Sequence, residues 1–240
     1  MNDQQYEIYH ILFPTQYALT STLMRFQEHY ESPVFRNQIF TREEYMDWYA
    51  HEHNDVFSYF QDWSGFNFPS TVLEPFIQKR FSDLTEKENE IVNLFKDLHK
   101  PTTRFYVIAT YKGSAKKSVI AHELVHALYY TIPDYADVVN FILEKHYIEN
   151  LYSGIRAMGY HDEVVRDEAN AYIITGLDDS LKALNVETVK HLRQELKSTF
   201  KNFFHVDPET PEGVERLMTQ IKNVSVFETI KTTFKIDGNK

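Results

Sequence analysis

His122, Glu123 and His126, in Ser118-Val-Ile-Ala-His-Glu-Leu-Val-His-Ala-Leu128, are the residues whose types and spacing speak most directly of chemistry. On an α-helix, positions four apart differ by about 40° in direction, so both imidazoles leave one face a turn apart and can grip one cation. Glu123, about 100° round from His122, is placed to take a proton from a water activated by that cation rather than to bind the cation itself. The chain has no cysteine, so any metal must be held by histidine and carboxylate. Every other position from Val119 to Leu128 is uncharged. Such a helix is buried on most sides, where two histidines and a glutamate need a shared partner.

An open zinc site takes three protein ligands and leaves a fourth position for water. No histidine follows His126 until His146, which excludes metzincin spacing and turns attention to carboxylates. Val164-Val-Arg-Asp-Glu-Ala-Asn-Ala-Tyr172 offers Glu168, which shares its helical direction to within about 60° with Val164, Val165, Ala171, Tyr172 and Thr175. A lone carboxylate in that apolar stripe is costly, whereas one bound to a cation is not. Asp167 and Glu163 point about 100° and 140° away, toward polar neighbours; both stay open as the third donor. They read more easily as solvated groups, or, for Asp167, as an acceptor that orients a ligating imidazole through its other ring nitrogen. Tyr160 and His161 are candidates for polarising a substrate carbonyl, against packing or capping roles, and Tyr129 for lining the pocket. His51 and His53 flank Glu52, but alternate residues diverge on a helix, so they read as a solvated face. Lys112, Lys116 and Lys117 form a local basic patch, open equally to an acidic substrate segment or a solubilising turn.

The uncharged setting of His122-Glu123-x-x-His126, with a downstream helix carrying Glu168-Ala-Asn-Ala, resembles the gluzincin type of zincin metallopeptidase over roughly residues 104–176. The resemblance implies one Zn2+ per chain held by His122, His126 and Glu168. It implies a peptidase in which Glu123 is the general base toward a metal-activated water, acting on a protein or peptide. It also implies a substrate-holding strand beside the active-site helix, where Arg104–Tyr111 is expected. The chain departs from the family in the long helical insert between His126 and Glu168. Two other readings use the same residues: a non-heme iron oxygenase with a His-His-carboxylate set, and a helical binding module whose metal is structural.

Elements must position these groups. Seven glycines in 240 residues fall below the roughly 7% of average usage, which disfavours a turn-rich all-β fold. The patterns predict an α+β, predominantly helical fold: a zincin-like active-site helix on a small sheet, with helical lobes around it. No linker or repeat divides the chain, so residues 1–240 read as one compact domain. Within it lie a helical N-terminal lobe (1–100), a catalytic core (101–176) and a helical C-terminal lobe (177–240). Helices are predicted at Gln16–Tyr30, from the capping box Thr41-Arg-Glu-Glu44, at Thr71–Phe81 and from the capping box Thr85-Glu-Lys-Glu88 to Leu98. Asp62–Ser70 reads as an ordered aromatic loop and Arg104–Tyr111 as the clearest strand. Helices follow at Ser118–Tyr130, beyond Pro133, at His161–Thr175, from an Asn185 cap and from Pro211; Ser225–Ile236 suggests a strand or two. A formal charge of −10 argues against nucleic acid or anionic lipid as the main partner. The N-terminus lacks the pattern of an export signal and no apolar run approaches the ~20 residues of a membrane span, so a cytoplasmic protein is expected.

Overall fold

The computed structural model describes residues 7–100, 104–113, 117–176, 186–219 and 221–224. Four strands, β1 (Ile8–Phe13), β2 (Gly65–Pro69), β3 (Tyr106–Tyr111) and β4 (Lys222–Val224), form one mixed sheet in the order β2-β3-β1-β4. β1 runs parallel to β3 and to β4, and β2 closes one edge antiparallel to β3, with Phe66 opposite Ala109 and Asn67 opposite Ile108. Helices make up the rest, so the fold is a predominantly helical α+β one.

Period-2 alternation along the strands divides two cores. Tyr9, Ile11, Phe13, Phe66, Phe68, Val107 and Ala109 face an aromatic core, which they build with Leu19, Leu23 and Phe26 of α1 (Gln16–Glu31). α2 (Arg42–Glu52), α3 (Tyr59–Asp62), α4 (Glu74–Ile77) and α5 (Glu86–Phe95) wrap that core. Ile8, Tyr106 and Ile108 face the opposite side, where Ile120, Leu124 and Leu128 of α6 (Lys117–Thr131) pack on the sheet. Beyond α6 stand α7 (Pro133–Glu144), α8 (Glu149–Ala157), α9 (Val165–Thr175), α10 (Val186–Phe204) and α11 (Pro211–Met218). α9 lies against α6, α7, α8 and α10, which fixes its buried stripe relative to α6.

The stretch 1–100, expected to be helical, supplies two of the four strands. β1 is a short apolar run, a length at which periodicity does not separate strand from buried helix. β2 lies inside the segment expected to be a loop. β3 is the expected strand, but it is paired on both sides, by β1 and β2, so it has no free edge for an extended substrate. The single helix expected over Thr71–Phe81 is instead a 3-10 turn at Ser70–Leu73 followed by α4, because Pro75 is tolerated only in a first helical turn. Lys79, at φ 59°, then turns the chain away. Both predicted capping boxes are formed, Thr41 with Glu44 and Thr85 with Glu88. Glu88 does more than cap: its carboxylate also receives the fully buried Arg25 guanidinium at 2.7 and 2.8 Å. The Asn185 cap and the Ser225–Ile236 strands lie outside the described residues. Among the described residues, no helix is long and apolar enough to cross a membrane.

Candidate metal centre

α6 presents His122 and His126 toward α9, which presents Asp167 and Glu168. Ligand atoms of His122, His126 and Glu168 lie within 4.8 Å of one another. His126 Nδ1 is 3.0 Å from Asp167 Oδ2, while its Nε2 is 3.6 Å from Glu168 Oε1 and 3.2 Å from His122 Nε2. His122 Nε2 is 3.9 Å from Glu168 Oε2.

Hydrogen bonding assigns the ring protons. Thr175 Oγ1 donates its only proton to the Ala171 carbonyl at 2.7 Å, so it accepts from His122 Nδ1 at 3.2 Å. His126 Nδ1 donates to Asp167. Both Nδ1 protons therefore point away from the centre, and the two Nε2 atoms face each other at 3.2 Å. Without a cation or a shared proton this contact is repulsive. Glu168 Oε2, in a residue only 2% exposed, has no hydrogen-bond partner among the described residues. A tetrahedral zinc with bonds of about 2.0–2.1 Å sets its donor atoms roughly 3.3 Å apart, close to the observed spacings. The donor set fits a zinc ion held by His122, His126 and Glu168.

The electrostatics point the same way. Burial pushes the Glu168 carboxyl up to about 8, against the pull of His126 and with Asp167 and Glu123 adding to the rise. Burial opposes a proton on His126, yet Asp167 and then Glu168 outweigh it and hold its pKa well above the usual value. Burial, and then His126, hold His122 well below the usual value. A cluster so short of positive charge is one that a divalent cation would satisfy.

Glu123 does not join this group. It turns toward the sheet edge, where Oε2 accepts from Asn67 Nδ2 of β2 at 2.7 Å. Asn67 Oδ1 in turn accepts from the Tyr106 hydroxyl. A Cβ on Gly65 would come within 3.0 Å of Glu123 Oε1, so the strand approaches this carboxylate as closely as only glycine allows. Burial raises the Glu123 pKa, with His126 and the Asn67 hydrogen bond opposing.

The remaining candidates separate cleanly. Asp167 is buried rather than solvated, because the helix turns it onto His126. Glu163 is exposed and pairs with Arg36 at 2.9 Å, away from the centre. His161, expected to begin the helix of Glu168, lies in the turn before α9 instead; its Nδ1 accepts from the Glu163 N–H. Tyr160 reaches Tyr172 (hydroxyls 3.3 Å apart), whose ring lies 4.7 Å from the His122 ring. Tyr129 donates to Asn140 of α7 at 2.9 Å. His53 stacks on Tyr49, and His51 pairs with Glu52 in solvent. Of the lysine patch, Lys112 is exposed and Lys116 lies outside the described residues.

No family model, curated protein or solved structure matches this chain. The site therefore has to be judged on its own geometry.

Asn67 and Gly65 beside Glu123, and the hydrogen bond of Thr175 to His122, were not expected from the sequence. A signal existed for Asn67: in Gly65-Phe-Asn-Phe-Pro69 the phenylalanines alternate with a polar residue, which in a strand sends Asn67 to the face opposite Phe66 and Phe68. Gln27 had none. It sits 95 residues before His122 on a helix of the opposite layer, yet its Oε1 accepts the Asn67 backbone N–H at 3.0 Å.

Proposed function

We propose that this protein is a zinc-dependent peptidase in which His122, His126 and Glu168 hold the ion and Glu123 is the general base. One observation carries the reading: two imidazole Nε2 atoms, whose Nδ1 partners Thr175 and Asp167 lie on the outer side, face each other beside a Glu168 oxygen without a hydrogen-bond partner among the described residues. The resemblance to gluzincins supports it, as does a carboxylate next in sequence to a ligand but kept out of the donor set. Zinc in such a site lowers the pKa of water toward about 7 and polarises a carbonyl.

The chain's own residues supply the rest. Glu123, with Oε2 held by Asn67, takes a proton at Oε1 and later returns it to the leaving amine. Its raised pKa narrows the gap to neutral pH, which suits a group that must both accept and release a proton. Asp167 and Thr175 keep the two imidazoles in the tautomer that offers Nε2. The substrate in this reading is a peptide or protein, and the acidic, cysteine-free chain operates in the cytoplasm. The same donors suit iron in an oxygenase; the buried carboxylate of Glu123 favours hydrolysis over redox chemistry.

The test is metal analysis with a matched variant. Purified protein is expected to carry about one zinc per chain, and Glu123→Gln to keep that zinc while losing peptide hydrolysis. Iron in place of zinc, or full hydrolysis by Glu123→Gln, would overturn the reading.

A further inference from the structure

Behind the metal centre, between the C-terminal half of α1, α2 and the turn after α8, lies a cavity of about 330 Å3. Ligand pockets span roughly 300–1,000 Å3, so this one suits a single side chain or a small amine. Its wall is of two kinds. Tyr45, Trp48, Tyr49 and Trp63 supply aromatic surface; Glu28 and Glu31 supply carboxylates; no lysine or arginine among the described residues lines it. Glu28 is 8% exposed and Trp63 Nε1 is buried with no acceptor among the described residues. The buried Glu28, whose Oε1 accepts from the Tyr59 hydroxyl at 2.6 Å, and the half-buried Glu31, set among aromatic rings, are the complement of an organic cation.

Two chains of contacts join the cavity to the metal centre. Glu31 accepts from Gln27 Nε2 at 2.5 Å, Gln27 Oε1 holds the Asn67 backbone, and Asn67 holds Glu123. On the other wall, Tyr160 meets Tyr172, which packs on His122.

We propose that this cavity is a specificity pocket that receives the guanidinium or ammonium group of an arginine or lysine side chain of the substrate. As a statement about a peptidase substrate this rests on the function proposed above; the binding of the cation stands on the cavity. Carboxylates draw the charge, the rings cover the alkyl stem, and the Trp63 indole N–H offers a donor to a peptide carbonyl.

Both tryptophans of the chain, Trp48 and Trp63, line this cavity, so intrinsic tryptophan fluorescence reports on it alone. Titration of the full chain with Nα-acetyl-arginine methylamide is expected to give a saturable change. The uncharged Nα-acetyl-citrulline methylamide is expected to bind at least about tenfold more weakly, and Glu31→Gln to weaken the arginine probe by a similar factor while leaving the citrulline probe unchanged. Equal affinity for the two probes, an unaffected Glu31→Gln, or no spectral response to the arginine probe overturns the assignment. Cleavage of a peptide library without enrichment of arginine or lysine overturns its substrate part. A chain that binds the arginine probe as expected but holds no zinc leaves the pocket standing and removes the peptidase reading; a zinc peptidase that ignores the probe does the reverse.

Discussion

At the scale of single residues, the centre depends on proton placement as much as on ligand identity. His126 can offer Nε2 because Asp167 accepts a hydrogen bond from its Nδ1–H, and Asp167 can do so because α9 buries it against that ring. Asp167→Ala is therefore expected to lower zinc affinity by about 10–100-fold, read by competition with a chromogenic chelator, with the far-ultraviolet circular dichroism unchanged. The two histidines and Glu123 were legible in the sequence, since helical period alone puts them on adjoining faces. Glu168 was legible as the carboxylate in the middle of a buried stripe. The burial of Asp167 was not: a helical wheel gives direction, and only the neighbouring α6 decides that this direction is inward.

At the scale of elements, β2 is the part that adds to the histidines of α6 a shaped surround for Glu123. Its glycine admits the Glu123 carboxylate and its asparagine fixes one oxygen. Gly65→Ala would force Glu123 Oε1 back by a few tenths of an ångström. Zinc content is expected to stay the same while turnover falls by roughly 10- to 100-fold, seen in kcat at constant metal loading. In the aromatic layer, the Thr85–Glu88 capping box was legible from four residues, but the Arg25 guanidinium on the same carboxylate was not. Glu88→Ala leaves that guanidinium buried with only Asp83 and backbone carbonyls for partners. It is expected to destabilise the fold by about 3–5 kcal/mol in urea denaturation.

At the scale of the whole molecule, the two cores meet at a sheet whose polar residues and helix ends collect buried carboxyls. Glu28 is the clearest case: burial, opposed by hydrogen bonds from Tyr59 and Tyr45, raises its pKa from 4.5 to about 7. The folded state thus binds more protons than the unfolded chain between those values. The contribution is fully present below the lower value and is lost as pH rises through the upper one. Relative to Glu28→Gln, the wild-type chain is expected to lose on the order of 3 kcal/mol of stability between about pH 5 and about pH 8. Paired denaturation curves at those two values check the sign.

The amino-acid sequence by itself determined what is local: the helix carrying His122, Glu123 and His126, the capped starts of α2 and α5, the buried stripe of α9 and the predominance of helix. Each follows from short-range periodicity or from a cap four residues long. The tertiary structure decided what joins distant segments. It made β1 and β2 strands by giving them partners, closed both edges of β3, brought Asn67 to Glu123 and Gln27 to Asn67, and set Arg25 on Glu88. Hydrogen bonds of that kind span tens of residues, and their energy depends on which groups burial leaves without water, a quantity that no window of sequence contains.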